Sequence, residues 1–197
     1  MSDNLRIFFI GDELVAGYGD ARALGWTGRV LARTNQEDTP IMSIPLPFPG
    51  EDTAHLMIRW QEEVNKRIDP QADNRLVIGL GTHDIDNGHS MARCRLHLAN
   101  IIDIAEQRSH LSTFVVGPPP RRDVPENVQR QLVKVYKYVC ERRKIPFVDT
   151  YTPLVSHKQW NTDMAISGSY TPRQAGYGLI AWLVLHSGWN EWLGIEN

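Results

Sequence analysis

The sequence predicts an α/β fold in which a parallel sheet is covered by helices on both faces. Three observations carry that prediction. Strand-like and helix-like segments alternate along all 197 residues. Residues 7–10 and 76–81 are apolar runs of strand length, as strands buried on both faces are. No repeat, low-complexity tract or linker interrupts the pattern, so one domain over residues 1–197 is expected.

Each element has its own justification. The first strand, residues 7–10, is β-branched and aromatic and stops at Gly11. Residues 17–25 are glycine-rich and read as a loop, and residues 25–32 read as a helix start. Residues 41–44 form a short strand candidate. Residues 45–50 hold three prolines and are expected to be irregular, because proline removes backbone donors. Glu51, Asp52 and Thr53 can cap a helix whose inner face is Leu56, Met57, Trp60 and Val64. The central strand, 76–81, runs into Thr82, His83, Asp84, Ile85 and Asp86. Helical spacing over 91–108 places Leu96, Leu98, Ile101, Ile102, Ile104 and Ala105 inward. Residues 113–117 make a strand halted by three prolines, and 124–143 a helix with Val128, Leu132, Val135 and Val139 inward. Residues 146–149 are a last short strand, and 151–170 are expected to be irregular and polar. A closing helix spans 172–188, after which Trp189 and Trp192 either pack over the sheet edge or form an interface patch; packing is preferred.

Composition narrows the function classes. A formal net charge of −2 gives no reason to expect nucleic acid or an anionic membrane as partner. No apolar run reaches the roughly 20 residues of a membrane span, and the first residues are polar, so a cytoplasmic location is expected. Cys94 and Cys140 make no CxxC motif and read as buried free thiols.

Chemistry is expected at the carboxyl ends of the strands. There the first strand delivers Asp12 and Glu13, and the central strand delivers His83 and Asp84. Several short blocks in order resemble the SGNH hydrolase superfamily, the GDSL-like lipases and esterases. They are Gly11-Asp12-Glu13-Leu14 with its glycine-rich turn, Gly25-Trp26-Thr27-Gly28, Pro49-Gly50, Gly81-Thr82-His83-Asp84, Val116-Gly117-Pro118, and Thr171-Pro172-Arg173-Gln174-Ala175-Gly176. The resemblance implies a three-layer α/β/α sandwich with a flavodoxin-like parallel sheet, and an ester or acyl hydrolase activity. It also implies which positions would carry that activity. The nucleophilic serine falls on Glu13, the oxyanion glycine on Gly50, the oxyanion asparagine on His83, the triad aspartate on Gly168 and the base histidine on Thr171. Asp12 and Asp84 match residues that brace the loops.

Four of those five positions carry a different residue type. Thr171 does not titrate near neutral pH and Gly168 has no side chain, so no Ser-His-Asp triad is legible. Loss of nucleophile or base in such a triad costs about 10⁶ in turnover. An ionised Glu13 is expected to fill the oxyanion donors itself. Three function classes follow. The first is a pseudoenzyme that keeps a cleft built on Asp12, Glu13, Gly50, His83 and Tyr170 for a small-molecule, acyl or ester ligand. The second is an ester or acyl hydrolase with an unusual Glu13/His83 site. The third is an interaction module that docks a protein partner, or a second copy as a homodimer, on its C-terminal aromatics. No cofactor is implied. A metal on Glu13 and His83 is disfavoured, since it needs a third ligand, with Asp12 or Asp86 the candidates. Asp86, Asn87 and His89 read as a solvated loop. Tyr18, Trp26, Phe48, Trp60 and Tyr170 are candidates for the cleft wall, most of them core.

Overall fold

The computed structural model describes residues 4–167 and 170–195. Five parallel strands, β1 (Leu5–Gly11), β2 (Ile41–Pro47), β3 (Asp73–Gly79), β4 (Ser112–Val116) and β5 (Phe147–Val148), form one sheet in the order β2-β1-β3-β4-β5. The helices in chain order are α1 (Glu13–Ala16), α2 (Gly25–Leu31), α3 (Thr53–Asn65), α4 (His83–Asp86), α5 (Met91–Gln107), α6 (Glu126–Arg143), α7 (Tyr151–Leu154), α8 (Lys158–Ser167), α9 (Gln174–Leu185) and α10 (Trp189–Leu193).

The side-chain alternation of a strand divides the core into two halves. Ile7, Phe9, Val77, Phe114 and Val116 face a layer that includes Val30, Ile180, Val184 and Trp189. Phe8, Ile10, Leu76, Ile78 and Val115 face the opposite layer, with Leu56, Trp60, Leu98, Ile101, Leu132 and Val139. Both faces of the sheet are therefore covered, which is why its central strands are apolar over 7–10, 76–78 and 114–116. Cys94 and Cys140 are buried free thiols.

Four local expectations are corrected. Strand β2 continues through Pro45 and Pro47 instead of ending at residue 44. It is an edge strand. The Phe48 N–H donates to the Gly11 carbonyl at 2.8 Å, so alternation turns the nitrogens of Pro45 and Pro47 to the open side, where no donor is needed. Residues 151–167 are not irregular. They contain α7 and α8, whose Tyr151, Leu154, Trp160 and Met164 are buried beneath polar neighbours. Leu96 is 62% exposed; Cys94 takes the inward place on α5. On α6 the inward stripe is Gln129, Leu132, Val133, Tyr136, Val139 and Cys140, with Val128 and Val135 only half-buried.

The C-terminal aromatics pack over a sheet face, not an edge, and Trp189 offers no surface for docking. Trp189 is 0% exposed, lies 6.4 Å from the Phe9 ring and 5.4 Å from the Phe114 ring, and donates its indole N–H to Thr34 Oγ1 at 3.0 Å. Trp192 covers Phe114 at 5.2 Å and lies under the Arg75 guanidinium at 5.2 Å. Replacing Trp189 with alanine should cost about 3–5 kcal/mol, the range for truncating a fully buried large aromatic. Urea titration of Trp189→Ala against the unaltered chain checks this, with a smaller loss expected for the half-buried Trp192→Ala.

Candidate functional site

The site forms where β1 and β3 end side by side, Gly11 paired with Gly79. Gly11 has φ +148° and a Cβ there would sit 1.9 Å from the Gly79 carbonyl oxygen, so only glycine lets the chain turn at this point. The next residue, Asp12, is 1% exposed. Its Oδ1 accepts from Leu14 N–H at 2.9 Å, capping α1, and its Oδ2 accepts from Gly81 N–H at 2.7 Å. One carboxylate thereby ties the loop after β1 to the loop after β3.

Glu13 opens α1 and sends its carboxylate across to the loop after β2. Oε2 accepts from the Gly50 N–H at 2.8 Å, and Oε1 lies 2.7 Å from His83 Nε2. Gly50 has φ +76°, a left-handed conformation that suits glycine. Its loop is held by the buried Glu51, which binds Arg59 and lies 2.8 Å from His55 Nδ1, and by Asp52, which caps α3 through the His55 N–H at 2.8 Å. His83 opens α4. Its Nδ1 lies 3.1 Å from Asp86 Oδ2, and its Nε2 is also 3.9 Å from Asp12. Asp86 in turn accepts from Arg121 Nη1 at 2.5 Å. Arg121 also donates to Thr82 Oγ1 at 3.0 Å and to Asp123 at 2.6 Å, and its guanidinium lies 4.0 Å from the Tyr170 ring centroid.

A cavity of about 530 Å³ opens over this chain, lined by Glu13, Ala16, Tyr18, Pro49, Gly50, His83, Tyr170 and Thr171. Its wall is mainly apolar, with the Glu13–His83 pair as its polar element. Of the expected cleft residues, Glu13, Gly50, His83 and Tyr170 line it, while Asp12 sits behind His83. Of the aromatic candidates Tyr18 lines it, Trp26 and Trp60 are core, and Phe48 packs instead on His55 at 4.3 Å. Thr171 is buried at the rim; Gly168 lies outside the described residues.

The family model for GDSL-like lipases and acylhydrolases matches residues 9–179. The chain belongs to the GDSL-like lipase/acylhydrolase family. Among solved structures it is similar to a lipase/acylhydrolase from Enterococcus faecalis, with a TM-score of 0.75, 23% identity, and coverage of 94% of this chain and 96% of that one. It is similar to the psychrotrophic esterase EstA from Pseudoalteromonas (TM-score 0.75, 16% identity, coverage 96% and 98%). It is also similar to the acetylxylan esterase Axe2 from Geobacillus stearothermophilus (TM-score 0.69, 18% identity, coverage 100% and 98%). These likenesses show the SGNH hydrolase fold. No curated protein matches the sequence.

Within this GDSL-like chain, the loop of Asp86, Asn87 and His89 is not merely solvated, as the sequence suggested. Asn87 Nδ2 donates to Asp52 at 2.6 Å, and His89 Nε2 lies 2.9 Å from the same carboxylate. Asp84 accepts from Thr53 Oγ1 at 2.7 Å and from Tyr136 O–H at 2.6 Å, joining α3, α4 and α6 behind the cleft. Arg121 was missed by sequence reasoning. Its one signal is position: it follows the three prolines that end β4, at the same carboxyl edge as Asp12 and His83. Asp12, Glu13 and His83 each offer a metal-ligand atom within 4.8 Å of the others, so Asp12 and not Asp86 completes that set. Glu13 and His83 already satisfy one another across 2.7 Å.

Charge in the site is strongly coupled. Burial pushes the Asp12 carboxyl up to about 7, reinforced by the Glu13 carboxylate beside it. Burial opposes ionisation of Glu13 too, but the His83 hydrogen bond, the Gly50 N–H and its own backbone N–H outweigh it, bringing it down to about 2. His83 is raised above its ordinary value by its hydrogen bond to Glu13, against burial, with added help from the charges of Glu13, Asp12 and Asp86. With carboxylates at both ring nitrogens, the imidazolium form donates to each.

The pH dependence follows by linkage. Glu13, lowered from 4.5 to about 2, stabilises the fold above pH 4.5 and loses that contribution as pH falls towards 2. His83, raised above 6.5, stabilises fully below 6.5 and loses its contribution as pH rises through its folded value. Asp12, raised from 3.8 to about 7, favours the fold below 3.8 and loses that contribution as pH rises to about 7. The site therefore stabilises most near pH 4 to 4.5 and progressively less towards pH 8. NMR titration of the His83 ring should give a midpoint above 6.5 that moves down in Glu13→Gln, and the fall in melting temperature from pH 6.5 to 8 should be shallower in that variant.

Proposed function

We propose that this chain uses its cleft to bind a small, largely apolar molecule carrying an acyl or ester group, and does not hydrolyse it by the serine mechanism of its family. One observation supports this above the others. The position aligned with the attacking serine holds Glu13, whose carboxylate accepts from the Gly50 N–H at 2.8 Å. In the resemblance that N–H is an oxyanion donor. A negative charge resting on such donors leaves no place for the oxyanion of a tetrahedral intermediate. The aligned base position holds Thr171, which supplies no proton acceptor near neutral pH. The apolar wall and the family's acylhydrolase membership support an acyl-bearing ligand.

A second reading rests on a different observation: His83 is held from both sides, by Glu13 at 2.7 Å and Asp86 at 3.1 Å. An imidazole so oriented is suited to proton transfer, and would let Glu13 and His83 work as an acid–base pair on an acyl substrate.

Purified protein assayed with p-nitrophenyl acetate and butyrate separates the readings. On the binding reading, the unaltered chain and Glu13→Gln both stay within about twofold of the uncatalysed rate, far below the 10⁶ or more expected of a working triad. A non-hydrolysable amide analogue should still shift the amide resonances of Ala16, Gly50 and Thr171. Clear turnover by the unaltered chain that Glu13→Gln abolishes would overturn the binding reading in favour of the acid–base pair.

A further inference from the structure

A second cavity, of about 580 Å³, lies outside the cleft, between α2 and the start of α9. Four arginines line it: Arg22, Arg29, Arg33 and Arg173. Two carboxylates are near, and both are already engaged. The Asp20 side chain is fully buried, pairs with Arg29 through both oxygens, and accepts from the Arg22, Leu24 and Gly25 N–H groups. Asp163 is buried and accepts from the Arg173 N–H at 3.1 Å and the Gly176 N–H at 2.6 Å. Neither reaches the guanidinium of Arg22, Arg33 or Arg173. Those three guanidinium groups make no ion pair or side-chain hydrogen bond among the described residues.

This concentration is not a general surplus of base, because the chain carries a formal net charge of −2. Elsewhere Arg6 pairs with Asp69, Arg59 with Glu51 and Glu63, Arg121 with Asp86 and Asp123, and Arg143 with Asp103. Other exposed arginines, Arg108 and Arg142 among them, also make no ion pair among the described residues; what sets Arg22, Arg33 and Arg173 apart is that they line one cavity. Unpaired guanidinium groups around one concavity repel each other unless an anion lies between them. The planar fork of arginine matches tetrahedral oxyanions bidentately. A single carboxylate offers one charge and two oxygens, which one guanidinium satisfies. Three call for a group with more charge and more oxygens. The volume is that of a small-molecule site.

We infer that this cavity is a binding site for a phosphate group, borne either by a soluble phosphorylated molecule or by a phospholipid head group. Arg33 and Arg173, from opposite walls, grip its oxygens; Arg22 closes the loop side; Arg29 is held by Asp20 as a fixed positive floor. The site is separate from the cleft, so it stands whether or not the cleft proves catalytic.

Isothermal titration of the whole chain with inorganic pyrophosphate at low ionic strength tests it, alongside co-sedimentation with phosphatidylglycerol vesicles to distinguish the two sources. Binding of either probe is expected, weakened about tenfold or more in Arg33→Ala/Arg173→Ala, which loses two charge-assisted donors. It should change less than about twofold in Arg108→Ala/Arg142→Ala, a pair of exposed arginines on the other side of the sheet. All four positions are exposed, so both variants should fold, and circular dichroism confirms it. Failure of both probes to bind, or equal weakening in the two variants, would overturn the inference.

Discussion

Asp12 is the constraint on which the site depends. Its two oxygens hold the N–H of Leu14 and the N–H of Gly81, one on each of the adjacent loops that leave the centre of the sheet. Neither loop has secondary structure long enough to fix itself, since α1 and α4 are single short turns. A buried carboxylate is costly unless its lone pairs are satisfied, so once Asp12 is enclosed the two loops have a single register in which it is paired. Glu13 and His83 inherit their separation from that register.

From there a line of alternating charge runs along the carboxyl edge of the sheet: Glu13, His83, Asp86 and Arg121, each within hydrogen-bonding reach of the next. Glu13, His83 and Arg121 are partly or wholly withdrawn from water while Asp86 is exposed, and each is offset by a neighbour of opposite sign. The line begins on the Gly50 N–H and ends beside the Tyr170 ring; Glu13 and His83 face the cleft, and Asp86 and Arg121 hold His83 from behind. Its members come from three different strand ends. None of the pairs is close in sequence except His83 with Asp86, which are three residues apart on one helical turn.

The apolar cores of β1, β3 and β4 were legible because burial on both faces leaves an uninterrupted apolar run, but β3 starts at Asp73 and ends at Gly79 where 76–81 was expected, and β4 ends at Val116 where 117 was expected. The nearness of Glu13 and His83 was legible only through family resemblance, which carried the fold along with the motifs. The extension of β2 through Pro45 and Pro47 was hidden because the sequence does not say which strand is at an edge. The helices between residues 151 and 167 were hidden because their buried residues, Tyr151, Leu154, Trp160 and Met164, are spaced among polar ones too sparsely to show a stripe. Arg121 was unreadable for a related reason: a surface arginine and one locked between Asp86 and Tyr170 look alike until the loop after β4 is placed.

The sequence by itself determined the alternation of strands and helices, the parallel sheet, the absence of any helix-length apolar run that would span a membrane, and the residue types at the strand ends. Those follow from local periodicity and composition, which need no knowledge of distant contacts. Only the tertiary structure decided that the Glu13 carboxylate rests on the Gly50 N–H, that His83 is held from both sides, and that Trp189 belongs to the core. It alone also gathered Arg22, Arg33 and Arg173 around one cavity. Each of these joins residues far apart along the chain, and their meeting is set by strand order and loop packing, which local patterns do not encode.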